Sequence, residues 1–281
     1  MKIRVLVVDI LAGVLLLASG CTLPFEEKRS TDGGAAIVIE VADIEVPSGN
    51  AVENEIDIYF PDRQSEDTEW VSLAGTAVYS EDEYNSAVIN AKNCYIEGVK
   101  PIKQFPELPT GCEVTALEIA MNYKDYNVNR FTLCDKYLKK GNSGQSNPYV
   151  AFIGNPYNKN GYGCYAPVIA ECARRAGADA VNVSYCQFGE ILNYLQTGNP
   201  VIVWATISMN KSYEGSTGWK DANNKLVKFK AQEHCMVLIG VDVNKAIAYI
   251  ADPYYGTVKE YNLKTFYTRW VEQDKQAVVI K

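Results

Sequence analysis

The chain is almost without histidine: His234 stands alone among 281 residues. Multi-histidine metal centres are thereby excluded. Any chemistry that needs an imidazole must use this one. Long apolar runs are also lacking. The longest, Val5 to Ala18, is interrupted by Asp9 and is too short to cross a ~30 Å hydrocarbon core as a helix rising ~1.5 Å per residue. There is no excess of positive charge. The formal net charge is −7, which argues against a nucleic-acid partner. No two cysteines stand in C-x-x-C spacing, so a zinc ribbon is excluded, and no phosphate-binding P-loop occurs. Gly161-Tyr-Gly163-Cys-Tyr-Ala166 matches the dinucleotide fingerprint only in its letters, because Asn158-Lys-Asn160 precedes it where a strand is required. It reads as a loop entering a helix. No cofactor and no metal are expected.

What is present is unevenly distributed. Hydrophobic residues make up 47% and charged residues 22%, enough apolar material for a packed core. Residues 22–100 carry 17 acidic and 5 basic side chains, whereas residues 101–281 carry 16 and 20. Two differently composed pieces therefore follow the N-terminus. The first residues, with Lys2 and Arg4 ahead of an apolar run, have the layout of an export signal. Leu17-Ala18-Ser19-Gly20-Cys21 resembles the lipobox of bacterial lipoproteins. That resemblance implies that residues 1–21 are a signal peptide and that Cys21 is lipidated. The protein would then be extracytoplasmic, anchored to the outer face of the bacterial cell membrane. Residues 22–95 read as an acidic spacer or small accessory region. Short alternating stretches at Ile37 to Val46 and Glu55 to Phe60 suit exposed strands, and acidic clusters such as Glu81-Asp82-Glu83 suit a solvated tether.

Residues 96–281 read as an α+β domain. Helical patterns occur at about 112–124, 165–176, 187–197 and 263–272. Strand-like runs dominate the second half: Val201–Ile207, Cys235–Val241, Ala246–Ala251, Gly256–Tyr261 and Ala277–Ile280.

Three stretches in this domain carry chemistry. In Gln104-Phe-Pro-Glu-Leu-Pro-Thr-Gly-Cys112-Glu113, Thr110 and Glu113 fit a capping box with Thr110 as N-cap. Cys112 is then the second helical residue, where the positive end of the helix dipole favours thiolate. In Gln232-Glu233-His234-Cys235, the single histidine stands at the mouth of an apolar strand, and Cys235 is expected in its core. Asp252-Pro253 closes the next strand. An antiparallel hairpin would return Asp252 to the base of His234, where a carboxylate can fix the imidazole tautomer.

A nucleophile at a helix start, followed by a histidine and then a carboxylate on successive strands, is the papain-like order. Pro106-Glu-Leu-Pro-Thr-Gly-Cys112-Glu-Val-Thr-Ala-Leu117, Gly161-Tyr-Gly-Cys-Tyr-Ala-Pro167, Glu233-His234-Cys235 and Ala251-Asp252-Pro253 resemble the bacteriocin-processing-peptidase-like cysteine peptidases, in their stand-alone exported branch. The resemblance runs from about residue 99 to the C-terminus. It implies a papain-like fold, with a helical first half on an antiparallel sheet. It also implies Cys112 as nucleophile, His234 as base and then acid, Asp252 as orienting residue, and Gln104 as oxyanion donor.

The expected function is therefore a membrane-anchored cysteine peptidase, monomeric, acting on a peptide or protein substrate. An acyl transferase or cell-wall amidase could use the same residues, and a surface-binding lipoprotein would need none of them. Six further cysteines besides Cys21 and Cys112 could pair in an oxidising compartment, and their pairing stays open.

Overall fold

The computed structural model describes residues 73–281 and the two short strands Val5–Val8 (β1) and Ala36–Ile39 (β2). The chain divides into a unit Met1–Tyr59 and a unit Phe60–Lys281. In the first, β1 and β2 pair antiparallel. Cys21, most of the apolar run before it, and the expected strand at Glu55 to Phe60 lie outside the described residues.

The second unit is built on an antiparallel sheet whose centre is the most apolar sequence in the chain. Val201–Thr206 (β7) is buried at every position, and Glu233–Asp242 (β10) at all but its two ends. Such runs need cover on both faces, so they sit in the middle. The strand order is Thr257–Asn262 (β12), Ile247–Asp252 (β11), β10, β7, Ala277–Ile280 (β13) and Ala180–Asn182 (β6). Short Cys94–Tyr95 (β3) also pairs with the far end of β10. Beyond the sheet, Lys140–Gly141 (β4) pairs in parallel with Phe152–Ile153 (β5). Tyr213–Lys220 (β8) and Leu226–Ala231 (β9) form a separate hairpin between β7 and β10.

The helices cover this sheet. Cys112–Tyr123 (α2) is buried on every side from Cys112 to Met121, its polar Glu113, Thr115 and Glu118 included. A helix of that pattern belongs inside a domain, and α2 lies against β10. Leu117 in its middle is wholly enclosed, so truncation to alanine would cost about 2–5 kcal/mol. Ala166–Arg175 (α3), Phe188–Gln196 (α4) and Leu263–Glu272 (α5) are one-sided, each with an apolar face inward. Their boundaries follow local chemistry. Pro167 opens α3, a Gln187/Glu190 capping box opens α4, and the Asn262 side chain accepts the Thr265 N–H at the start of α5.

Among the described residues, a ten-residue helix lies ahead of residue 96, where the sequence places the start of the domain. Glu81–Asn90 (α1) has Ser80 as N-cap and three acidic residues in its first turn. It packs on the rest of the unit through Tyr84, which stacks on Phe188. Glu83 receives Lys275 Nζ at 2.6 Å and the Phe188 N–H at 2.9 Å. The compact unit thus takes in residues that read as solvated tether. All seven described cysteines are free thiols. Among the described residues no helix is long and apolar enough to cross a membrane.

Candidate active site

β10 and β11 form the expected antiparallel pair, with Val237 opposite Ala251. This register brings Asp252, the last residue of β11, alongside the start of β10. His234 Nε2 and Asp252 Oδ1 lie 2.7 Å apart, with 2% and 0% of their side chains exposed. A carboxylate only accepts, so Nε2 carries a hydrogen and Nδ1 is the ring nitrogen left outside this pair. Two further donors hold the carboxylate. The Tyr254 N–H reaches Oδ1 at 2.9 Å and the Tyr261 hydroxyl reaches Oδ2 at 2.9 Å. Burial pushes the Asp252 carboxyl up, but the bonds from His234, Tyr254 and Tyr261 outweigh it and leave the group below its ordinary range.

The loop that carries Gln104 docks on the loop after Asp252. The Gln104 N–H donates to Pro253 O at 2.8 Å. Gly256 makes this contact possible: it has φ +72°, and a Cβ there would stand 2.6 Å from Lys103 Cβ. The edge of Tyr254 meets both His234 and Phe105, with ring centroids 6.1 and 5.2 Å away. The Gln104 side chain is buried. Its Nε2 faces Leu108 O at 3.3 Å and Pro109 O at 3.1 Å, and its Oε1 has no hydrogen-bond partner among the described residues.

Cys112 is the first residue of α2, not the second, and its cap differs from the expected one. Gly111 is the N-cap and supplies no side chain. The Thr110 hydroxyl instead donates to Asn158 O at 2.8 Å, tying this turn to the loop before α3. The Glu113 side chain is drawn away as well: its Oε1 accepts the Cys164 N–H at 2.8 Å and its Oε2 faces Cys112 Sγ at 3.4 Å. The capping box is therefore absent, because both side chains find longer-range partners.

The expected preference for thiolate is corrected too. Burial pushes the Cys112 thiol well above its ordinary range, and the charges of Glu113, Glu233 and Cys235 push the same way. A backbone hydrogen bond with Cys235 opposes them only in part. A helix terminus acts only through the partial charge of its first turn, and burial outweighs it here. Cys112 therefore rests as a neutral thiol.

Sulfur of Cys112 and carboxylate oxygens of Glu113 and Glu233 lie within 4.8 Å of one another. A cation there would face the positive end of α2 and compete with the Cys164 N–H for Glu113, so the donor set does not suit a metal. Sequence reasoning missed this grouping. Glu113 read as a cap, and nothing local links it to Glu233. It also missed Tyr261, a partner of Asp252 visible only once β12 is paired with β11.

Residues 96–278 match the Peptidase C39-like family. The uncharacterized protein YvpB of Bacillus subtilis (strain 168) is 29% identical over 181 residues, 63% of this chain and 71% of that protein. A Bacillus anthracis protein assigned as a C39-like peptidase has a crystal structure similar to this fold. Its TM-score is 0.62 at 28% identity, covering 68% of this chain and 98% of that one. The helix-on-antiparallel-sheet architecture is thus the papain-like one expected. Over more than half its length, and through its fold as well as its sequence, the chain belongs to the Peptidase C39-like family.

Proposed function

We propose that the protein is a cysteine peptidase that hydrolyses peptide bonds through Cys112, His234 and Asp252. The observation that carries this reading is the buried His234–Asp252 pair at 2.7 Å, with Tyr254 and Tyr261 completing the shell of the carboxylate. Such a pair leaves Nδ1 as the free basic nitrogen of the only imidazole in the chain. As the Cys112 sulfur attacks the carbonyl, the S–H proton passes to Nδ1. His234 then gives that proton to the leaving amine, and water releases the acyl group by the reverse exchange. Asp252 holds the tautomer and stabilises the imidazolium. The backbone N–H of Cys112 at the start of α2 is one oxyanion donor, and an N–H of Gln104 is the second. For that role one Gln104 hydrogen turns from the 108–109 carbonyls towards the substrate.

In this proposal the protein is exported and held at the outer face of the membrane by lipid on Cys21, with the N-terminal segment as its tether. The family membership of residues 96–278 supports peptidase chemistry, and the lipobox-like run ending in Cys21 supports the anchor.

The test is cleavage of a peptide library by the purified full chain, read as new termini by mass spectrometry. Wild type should cut and Cys112→Ser should not. Gln104→Ala should lower kcat by about 10²–10³. Release of free amine, without incorporation of an added amine, distinguishes hydrolysis from acyl transfer. Equal cutting by Cys112→Ser would end the proposal. For the anchor, Cys21→Ala should release the protein from membranes.

A further inference from the structure

Two carboxyl groups converge on the nucleophile without a role in the chemistry above. Glu113 follows Cys112 in α2 and is wholly buried. Glu233 opens β10, and its Oε1 is shut off from solvent with no hydrogen-bond partner among the described residues. Gly163, with φ +111°, is the floor between them. A Cβ at that position would stand 2.5 Å from Glu113 Oε1 and 3.3 Å from Glu233 Oε2. A side chain would fill the space the two carboxyls occupy, so glycine is required there both for its φ and for its bareness. The groups that bear on the pair come from three elements. Cys112 stands on α2, Cys164 and Tyr165 lead into α3, and Cys235 follows on β10; Cys134 lies further off.

Glu113 is buried and Glu233 half-buried, with carboxylate oxygens within 4.8 Å of each other, so ionising both is costly and the pair retains a proton. We infer that Glu113 and Glu233 act as positioning residues for Cys112: they share one proton beside its sulfur, and the charge they carry sets the pH at which that sulfur ionises. Glu113 Oε2 holds the thiol, and Glu113 Oε1 ties the start of α2 to the turn at Cys164. Burial is also what pushes the Glu113 carboxyl up to about 7, with hydrogen bonds from its own backbone, Cys164 and Cys112 opposing it.

The proton count is simple. At rest the S–H bond is intact and the pair holds one proton and one negative charge. On attack the S–H proton leaves for His234, and the pair keeps its own. If the pair lost its last proton, the thiolate would form beside two anions instead of one. The pair thus restrains the nucleophile until a substrate draws the proton away.

This inference rests on Cys112 being the nucleophile, but its test needs no substrate. Iodoacetamide alkylation of the full chain is followed from pH 5.5 to 10, and modification of Cys112 is read by peptide mass. Glu113→Gln keeps an oxygen for the Cys164 N–H and removes the charge. It should lower the pH midpoint of Cys112 alkylation by about one unit or more. Glu233→Gln, at a site with an unpartnered oxygen, should shift it the same way and guards against a folding defect in the first variant. If Glu113 serves only to link α2 to the turn, the midpoint stays put in Glu113→Gln. Unmoved or raised midpoints in both folded variants would overturn the inference. The alkylation profile stands apart from peptide cleavage, so failure of one is distinguishable from failure of the other.

Discussion

At the residue scale, Asp252 shows how one side chain organises a site. It is fully buried, yet it takes hydrogen from His234, from the Tyr254 backbone and from the Tyr261 hydroxyl. A buried carboxylate with fewer partners would be costly. Tyr261→Phe removes one donor and no bulk. Bonds to charged groups are worth about 1.5–3 kcal/mol, so urea unfolding should show a loss of roughly 2 kcal/mol. The same variant should lower kcat modestly while leaving KM unchanged, because the imidazole is less firmly held. Asp252→Ala should lower kcat by about 10²–10⁴. Were Tyr261→Phe as stable as wild type, the hydroxyl would be spending its bond on solvent instead of Asp252. Glu113 teaches the opposite lesson. Its place three residues after Thr110 suggested a local cap, but its Oε1 is bound by the Cys164 N–H, far along the chain.

At the scale of elements, strongly periodic segments were legible and weakly patterned ones were not. β7, β10 and β13 lie where continuous apolar runs place them, α2 where a largely apolar stretch does, and β11 and α3 to α5 where an apolar face recurs with the period of the element. The hairpin β8–β9 was not legible. Gly215 and Gly218 interrupt β8, and lysines alternate with apolar residues in β9. Its apolar side is an aromatic cluster, Tyr162, Trp219 and Phe229, assembled with a distant loop. α1 lies in the stretch read as an acidic spacer or small accessory region, although a helix signal was present: Ser80 followed three residues later by Glu83, with acids throughout the first turn. For the candidate site, the His234–Asp252 pairing was legible, since it depends on one hairpin. The acid pair was not, since it depends on how α2, β10 and the Gly163 turn meet. α1 is held by the Glu83–Lys275 ion pair, whose side chains are 11% and 9% exposed. Breaking one partner of a buried pair leaves a stranded charge worth about 3–5 kcal/mol. Lys275→Ala should therefore lower unfolding free energy by about 3 kcal/mol, and Glu83→Gln combined with Lys275→Met should regain much of it. Equal losses in the single and double variants would show that the pair contributes little beyond its packing.

At the scale of the whole molecule, the buried acids pull stability in opposite directions with pH. Glu113 is raised from 4.5 to about 7, so its protonated form is the one the fold favours. Its contribution is full below pH 4.5 and is lost as pH rises through 7. Asp252 is lowered, so its contribution is present above its ordinary value of 3.8 and fades as pH falls through its folded value. The fold should be most stable in mild acid. From the Glu113 shift alone, unfolding free energy should fall by roughly 3 kcal/mol between pH 4.5 and 7.5, and Glu113→Gln should flatten that decline. A wild-type profile that rises over this range would contradict the burial of Glu113 as an acid. Cys112 is thus enclosed at the start of α2, and His234 is oriented by a firmly held carboxylate. The proposed function has one chemical outcome to detect: a transient acyl group on Cys112. The most direct measurement is rapid-quench intact mass of the full chain mixed with an activated peptide ester, followed by peptide mapping. The account predicts a mass gain equal to the acyl group, located on the peptide that contains Cys112. It should decay as free acid appears and be absent in Cys112→Ser. Turnover of the ester with no adduct on Cys112, or with the adduct on another residue, would contradict it.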